Sequence, residues 1–406
     1  MNNYGDIINN RVGLISYLEP IPFKYMGNTF HRYMANIKSD FCDKDFPGTG
    51  FASDIQTAQN KAIGEAIERY SATIKNPKLI VYDNYENLEY PVILPTNFNR
   101  YNDSQYLRNN FYEKFNPSLS RSWVEAIRYL TGEKVYVPFE TVYLLQPLQH
   151  KPFRDIVSTG LACGTTFEHA FENGLAECVE RDAFLWFWLT GLNIFEIEVD
   201  GLLNTSLNVY FKNLNRLDLT VNIYDISQPN FKIFTILTVI RTKGTCGFYT
   251  ATSSSRNLLK AIKGSIEEAI SGYTAFKERI SFYDLVVPNT LNDIKLLEDH
   301  AAYYVAGKHD SILEKILPNN LPLKTIKNIN IEYSLEEMVE SINKSTDILY
   351  IDITPIDVED VNLKSLRVIT PQLLFLSGGN EFLLESERLN VYAKNQNLNL
   401  IPHSFP

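Results

Sequence analysis

Glutamates three residues apart and followed by arginine occur twice, in Glu65-Ala-Ile-Glu68-Arg69 and Glu177-Cys-Val-Glu180-Arg181. On a helix this spacing puts both carboxylates of a pair on one face. Like charges about 6 Å apart, at an effective dielectric near 20, repel by on the order of 3 kcal/mol, so two such pairs brought together need counter-cations. Arginine and lysine supply some of that charge, and hard divalent ions that bridge carboxylates to phosphate oxygens supply it in nucleotide enzymes. The competing reading is a solvated face on which glutamate sits beside arginine. The neighbours argue against it: Ala62, Ile63, Gly64, Ala66 and Ile67 around the first pair, and Gly174, Leu175, Ala176, Cys178 and Val179 around the second, leave no broad polar face.

Each pair has a similar lead-in. Gly48-Thr-Gly-Phe-Ala52 precedes one and Ser158-Thr-Gly-Leu-Ala162 the other, so a strand–turn–helix device is repeated inside the chain. The glycine-flanked turns are expected to let backbone amides approach an anion, although no Walker-type phosphate loop is present.

Stepping along the chain, apolar periodicity predicts helices over 57–72 and 166–189. A third helix carries Leu258, Ile262, Ile266, Ile270 and Tyr273 on one stripe, with Ser253–Ser255 as cap candidates. Runs at 232–242 and 247–252 read as a hairpin, and 135–138, 348–353 and 366–376 as strands. The Tyr-, Asn- and Pro-rich stretch 76–120 reads as loops and short strands. No low-complexity linker divides these elements, so the expectation is one α/β unit of mixed α+β character over 1–406.

Bulk properties exclude other classes. The chain has 406 residues, 45% of them hydrophobic, enough for a large core. Its net charge of −10 is spread without a basic stripe, which argues against nucleic acid as a partner. Cys42, Cys163, Cys178 and Cys246 form neither a CxxC pair nor a zinc spacing, so a reducing, cytoplasmic location is expected. Cys163 and Cys178 read as small packing residues. No secretion signal or membrane-length apolar run is present.

The motifs resemble the signature of the YcaO family. Ala62 through Arg69 matches its AxxEAxER block, and Ser158, Gly160, Ala162, Gly164, Ala170, Gly174, Leu175, Glu177, Glu180, Arg181 and Asp182 match a second, longer block. Asp299-His300-Ala-Ala-Tyr303-Tyr304, Asp352-Ile-Thr354-Pro-Ile-Asp357 and Arg367-Val368-Ile-Thr-Pro371 resemble its later blocks in order. The resemblance implies a YcaO-type fold around an ATP site. Glu65, Glu68, Glu177 and Glu180 would hold Mg2+, while Ser158, Arg69, Arg181, Glu268 and Arg367 would contact the nucleotide. Two departures stand out: Gly264 and Ser271 occupy positions where the family's third block carries arginine and glutamine, and Lys61 stands where a serine is frequent. Lys260 or Lys263 is the expected replacement for the missing charge.

By the same resemblance, the ending Pro402-His-Ser-Phe-Pro406 is similar to the proline-rich terminus of azoline-forming members, with Ser404 at the middle proline. A proline-bearing end is stiff, so it loses little entropy when held in place. A tail of about 390–406 reaching the active site is therefore expected, with the Pro406 carboxylate and His403 as candidates for the base or its orienter. The implied reaction is ATP-dependent cyclodehydration of cysteine, with serine or threonine as further targets, in a ribosomally made precursor peptide. The implied partners are a separate ThiF-like or leader-peptide-binding protein, an FMN-dependent azoline dehydrogenase and a second copy of the chain in a homodimer. Thioamide or amidine formation, and a non-catalytic scaffold, are the alternatives.

Overall fold

Three sheets, each ending in an edge strand, meet around three long helices. The computed structural model describes residues 7–11, 13–23, 30–38, 45–147, 149–202, 206–216, 218–244, 246–282, 284–318 and 320–405. Pro406 and Cys42, singled out above, lie outside the described residues.

The chain opens with β1 (Tyr17–Pro20), β2 (His31–Lys38) and β3 (Asp45–Ala52), followed by α1 (Ile55–Ser71). Next come β4 (Ile80–Asp83), α2 (Asp103–Arg108), β5 (Arg121–Arg128), β6 (Lys134–Pro138), β7 (Leu161–Gly164) and α3 (Phe167–Thr190). Then follow β8 (Phe195–Ile197), α4 (Asn208–Arg216), β9 (Leu219–Asp225), β10 (Phe234–Thr242), β11 (Tyr249–Ser255) and α5 (Leu258–Ser281). The last third holds α6 (Leu297–Val305), α7 (Ser311–Ile316), β12 (Leu323–Lys324), α8 (Leu335–Asn343), β13 (Leu349–Asp352), α9 (Ile356–Glu359), β14 (Lys364–Ile369) and α10 (Glu387–Ala393). The sheets run β1-β2-β3, β4-β5-β13-β14-β7 with β6 added on β5, and β11-β10-β9-β8-β12. This is the mixed α/β class expected from the sequence.

The repeat proves threefold. β3–α1, β7–α3 and β11–α5 each pair an end strand of a sheet with a following helix. Each helix is capped by a side chain that accepts the N–H three residues on: Asp54 from Thr57 at 2.8 Å, Thr166 from His169 at 3.1 Å, and Asn257 from Lys260 at 3.0 Å. Glu65, Glu177 and Glu268 each stand ten residues beyond the first residue of their helix. In the third copy Ser271 and Gly272 take the places of the second glutamate and the arginine.

Several sequence expectations need correction. Gly48 and Gly50 lie within β3, not in a turn. A Cβ on Gly48 would fall 2.2 Å from the Ala62 carbonyl oxygen, and one on Gly50 1.9 Å from that of Ala58, so these glycines bring β3 against α1. The serines Ser253–Ser255 belong to β11, which pairs with β10 as far as Ser255, so tertiary pairing moves the α5 cap to Asn257. β14 ends at Ile369, short of 376, because Pro371 has no N–H to give to a sheet ladder. In 76–120 the short helix α2 was missed, although Asn102 and Gln105 form its capping box.

The core is continuous with the helices that carry the glutamates. On α3, Phe171, Leu175, Val179, Phe184, Phe187 and Trp188 are buried, each worth roughly 1.5–3 kcal/mol of apolar burial. This packing fixes the rotation of α3, and with it the direction of Glu177 and Glu180. Among the described residues no helix is long and apolar enough to cross a membrane.

Candidate active site

The four sequence-predicted glutamates reach the edge strands. Glu65 Oε2 accepts the Thr49 N–H of β3 at 2.5 Å and the Thr49 hydroxyl at 3.1 Å. Glu68 Oε1 accepts the Cys163 N–H of β7 at 2.9 Å. In the second copy Glu177 Oε2 accepts the Gly160 N–H at 3.0 Å, and Glu180 Oε2 accepts the Ser254 N–H of β11 at 2.9 Å. The first glutamate of each pair thus bonds the strand or lead-in of its own copy, and the second bonds the strand of the next copy. Edge strands carry unpaired N–H groups, and here carboxylates satisfy several of them.

These glutamates line one cavity of about 820 Å³ together with Arg69, Ser158, Arg181, Glu268 and Phe405. Arg69 donates to Glu65 at 2.5 Å, and Arg181 lies 3.3 Å from Glu177 and 3.3 Å from Glu180. The four glutamates of the two pairs therefore have two arginines beside them, Arg69 on Glu65 and Arg181 on Glu177 and Glu180. Burial drives the Glu68 carboxyl well above its usual range against the pull of the Cys163 N–H, and the charges of Glu177 and Glu65 add to the rise. Burial likewise raises Glu180, opposed by Arg181. Glu268 touches the cavity's solvent, yet protein encloses it closely enough that desolvation, opposed by Lys61 and reinforced by Glu65 and Glu267, raises it too.

A second cavity of about 600 Å³ adjoins the first and shares Thr49, Glu65, Glu68 and Glu268 with it. Its wall adds Asn60, Lys61, His169, Asn173 and Ser271. Lys61 Nζ donates to the Phe51 carbonyl at 3.1 Å and to Glu267 at 2.9 Å. Burial disfavours its charge, but Glu268 and Glu267 outweigh that and hold the ammonium charged. Lys61, with Lys263 at 3.7 Å from Glu267, supplies the cation that Gly264 lacks. Lys260 does not join them; its backbone N–H serves the Asn257 cap. A Cβ on Gly264 would lie 2.4 Å from the Ser253 hydroxyl, and one on Gly272 2.1 Å from the Tyr249 ring, so close packing of α5 on β11 favours glycine at both places.

Other predicted residues are placed differently from expectation. Ser158 is exposed in the cavity wall, whereas Arg367 is buried behind it, donating to the carbonyls of Thr141 at 2.8 Å, Ser158 at 3.0 Å and Val157 at 3.0 Å. Arg367 thus supports the Ser158 loop instead of facing the cavity. Desolvation lowers its pKa to about 10. His403 is buried. Its Nδ1 lies 3.0 Å from the Phe405 carbonyl and desolvation drives its pKa well below the usual histidine value, so it anchors the tail and does not face the cavity. Phe405 does reach the wall, where the Arg181 guanidinium lies 4.3 Å from its ring centroid. Cys178 is buried and its thiol is pushed up to about 12 by desolvation, in keeping with a packing role.

Among the described residues, no three carboxylate, histidine or cysteine side chains are gathered closely enough to hold an ion as they stand. The four paired carboxylates are each turned instead onto a backbone N–H. The donor set still fits a hard divalent cation: it is all oxygen, in pairs on two helices, with more negative charge than its arginines balance.

A family model described as YcaO cyclodehydratase, ATP- and Mg2+-binding, matches residues 49–374, a span that starts at Thr49 and holds every glutamate above. The chain belongs to the YcaO family. Solved structures of the same fold include a heterocyclase in complex with substrate and cofactor, with a TM-score of 0.77 and 18% identity over 99% of this chain and 56% of that one. YcaO from Methanopyrus kandleri bound with AMPPCP and Mg2+ has a TM-score of 0.65 and 16% identity, over 97% and 91% of the two chains. The E. coli microcin synthetase McbBCD complex with pro-MccB17 bound has a TM-score of 0.69 and 16% identity, over 98% of both. The chain spans little more than half the length of the first of these. No curated protein matches it in sequence.

YcaO membership fits the ATP and Mg2+ that the paired glutamates called for. The third copy escaped sequence reading, although Glu268-Ala-Ile repeats Glu65-Ala-Ile and sits at the same distance from its helix start. The second cavity had no local sequence signal, since its residues come from five elements, β3, α1, β7, α3 and α5.

Proposed function

We propose that this chain is an ATP-dependent peptide cyclodehydratase that closes cysteine, and secondarily serine or threonine, onto the preceding amide of a ribosomally made precursor peptide. The observation that carries this reading is one cavity walled by both glutamate pairs and by Phe405 of the tail. Bound Mg2+ would spread phosphate charge, and Glu65, Glu68, Glu177 and Glu180 are the residues to hold it. Ser158, Arg69, Arg181 and Glu268 contact the nucleotide, and Arg367 acts by holding the Ser158 loop. The nucleoside occupies the smaller cavity beside Asn60 and Asn173, and the peptide the larger one on the tail's side.

In the overall reaction the substrate thiol gives up its proton and adds to the amide carbon, closing the ring. The amide oxygen takes the γ-phosphoryl group with release of ADP, and phosphate then leaves as the ring nitrogen loses its proton and the C=N bond forms. The chain's own work is positioning: anchored carboxylates keep the charged wall preorganised, and Arg181 is held between two of them and Phe405. The Pro406 carboxylate, one residue beyond Phe405, is the proposed base, with His403 as its orienter through the Phe405 carbonyl. The whole chain acts as one unit in the cytoplasm, with a separate ThiF-like or leader-binding protein, an FMN-dependent dehydrogenase as a downstream partner, and a homodimeric state. The likeness to a chain of the McbBCD complex supports partners of this kind.

The test is mass spectrometry of the precursor after incubation with ATP, Mg2+ and the partner. Loss of one water per ring, abolished by Glu180→Gln, supports cyclodehydration. Exchange of oxygen for sulfur would instead establish thioamide formation, and product unaffected by Glu65→Gln and Glu180→Gln would establish a scaffold.

A further inference from the structure

We propose that His300 is a positioning residue for the reaction: with Tyr304 it clamps residues 402–405 and so sets how far Phe405 reaches into the glutamate cavity. Both side chains come from α6, one turn apart, within the Asp299-His-Ala-Ala-Tyr-Tyr304 segment that the metal–nucleotide site leaves without a role. The inference rests on the reading that the tail takes part in the chemistry.

The geometry is specific. The His300 ring is fully buried and lies parallel to that of His403, with centroids 4.0 Å apart and planes 11° apart. Its Nδ1 meets the His403 carbonyl at 2.7 Å, and its Nε2 the Gly379 carbonyl at 3.1 Å. Both partners are carbonyl oxygens, which only accept, and the shorter of the two contacts is the one to the tail. Tyr304 donates to the Pro402 carbonyl at 2.5 Å. Trp188 Nε1 donates to the Ile401 carbonyl at 2.7 Å, and the hydroxyls of Ser404 and Thr250 lie 2.6 Å apart. A chain end normally frays, yet four consecutive residues here are each tied by a hydrogen bond to another element. The clamp leads directly to the site: Phe405 packs 4.9 Å from the Phe184 ring and against Arg181, whose guanidinium bridges Glu177 and Glu180. The depth of the tail therefore sets where Arg181 sits between two carboxylates.

His300→Phe keeps a stacking ring without the hydrogen bonds, His300→Asn keeps a donor, and Tyr304→Phe removes one bond. Hydrogen exchange of residues 401–405 is expected to quicken at least about tenfold in His300→Phe, with the rest of the chain and the melting temperature little changed. ATP affinity is expected to stay within about twofold, while ATP turnover with Mg2+ and a synthetic cysteine-containing peptide falls about tenfold and His300→Asn recovers part of it. In a chain ending at His403, His300→Phe should lower turnover no further. Tail exchange as slow in His300→Phe and Tyr304→Phe as in the unaltered chain would overturn the clamp. An equal loss of turnover in the shortened and full chains would overturn its link to the reaction. Full turnover in the shortened chain would sink the tail reading itself, leaving the clamp to be judged by exchange.

Discussion

Glu68 on α1 accepts the backbone N–H of Cys163 on β7 at 2.9 Å, joining the first glutamate helix to the strand of the second copy. The bond turns a catalytic-type side chain into part of the scaffold. Its half-buried carboxyl is nonetheless desolvated by the protein around it and faces Glu177 and Glu65, which favours the protonated form.

Glu68→Gln is therefore expected to stabilise the metal-free chain while lowering ATP turnover by about a hundredfold or more, since function and stability oppose each other at such sites. Glutamine keeps an oxygen for the Cys163 N–H. The sign with pH follows from the raised carboxyl: its contribution to stability is full below the unfolded value and is lost as pH rises through the folded one. Denaturant midpoints measured from acid to neutral pH should fall less steeply in Glu68→Gln than in the unaltered chain. Addition of Mg2+ should raise the midpoint only when the carboxylate is present.

The buried histidines have the opposite sign. Desolvation lowers both His300 and His403; Asp299 pulls His300 back up, and Arg181 pushes His403 further down. Their share of stability is complete above the unfolded value near 6.5 and is lost as pH falls below it. Melting temperature should drop by roughly a few degrees between pH 7 and 5.5, and His403→Phe should flatten that drop.

Lys61 offers a cleaner test of the smaller cavity. Its ammonium spends two bonds on Phe51 and Glu267, leaving a third donor. Lys61→Ala is expected to raise the KM for ATP about tenfold with kcat nearly unchanged, and steady-state kinetics at varied ATP would read the split.

At Gly50, alanine would drive its Cβ into the Ala58 carbonyl oxygen, 1.9 Å away. The strand or helix must shift, so Gly50→Ala should destabilise by roughly 1–3 kcal/mol or more and displace Glu65 and Glu68 together. Denaturation for stability and ATP binding for site geometry would both register it.

For Arg367, lysine keeps the charge but not the fork that holds three carbonyls. Arg367→Lys should cost about 2–3 kcal/mol of stability and weaken ATP binding through the loosened Ser158 loop. Unchanged stability with lost ATP affinity would instead indicate a direct contact.

Local signals in the sequence determined much of this protein: helix periodicity, the two glutamate pairs and the order of the family blocks. They located α1 and α3 to within two residues and marked α5 by its stripe, because the apolar stripe of a long helix is written in the helix itself. They also marked the glutamates as residues without a polar face. Tertiary structure decided what those residues touch. The second carboxylate of each pair bonds the edge strand of the next copy, Arg367 turns to carbonyls behind the wall, and His403 is buried against His300. Those outcomes depend on which sheet edge remains unpaired and which side chains share a buried space. Both are properties of contacts far apart in the chain, and spacing along it does not encode them.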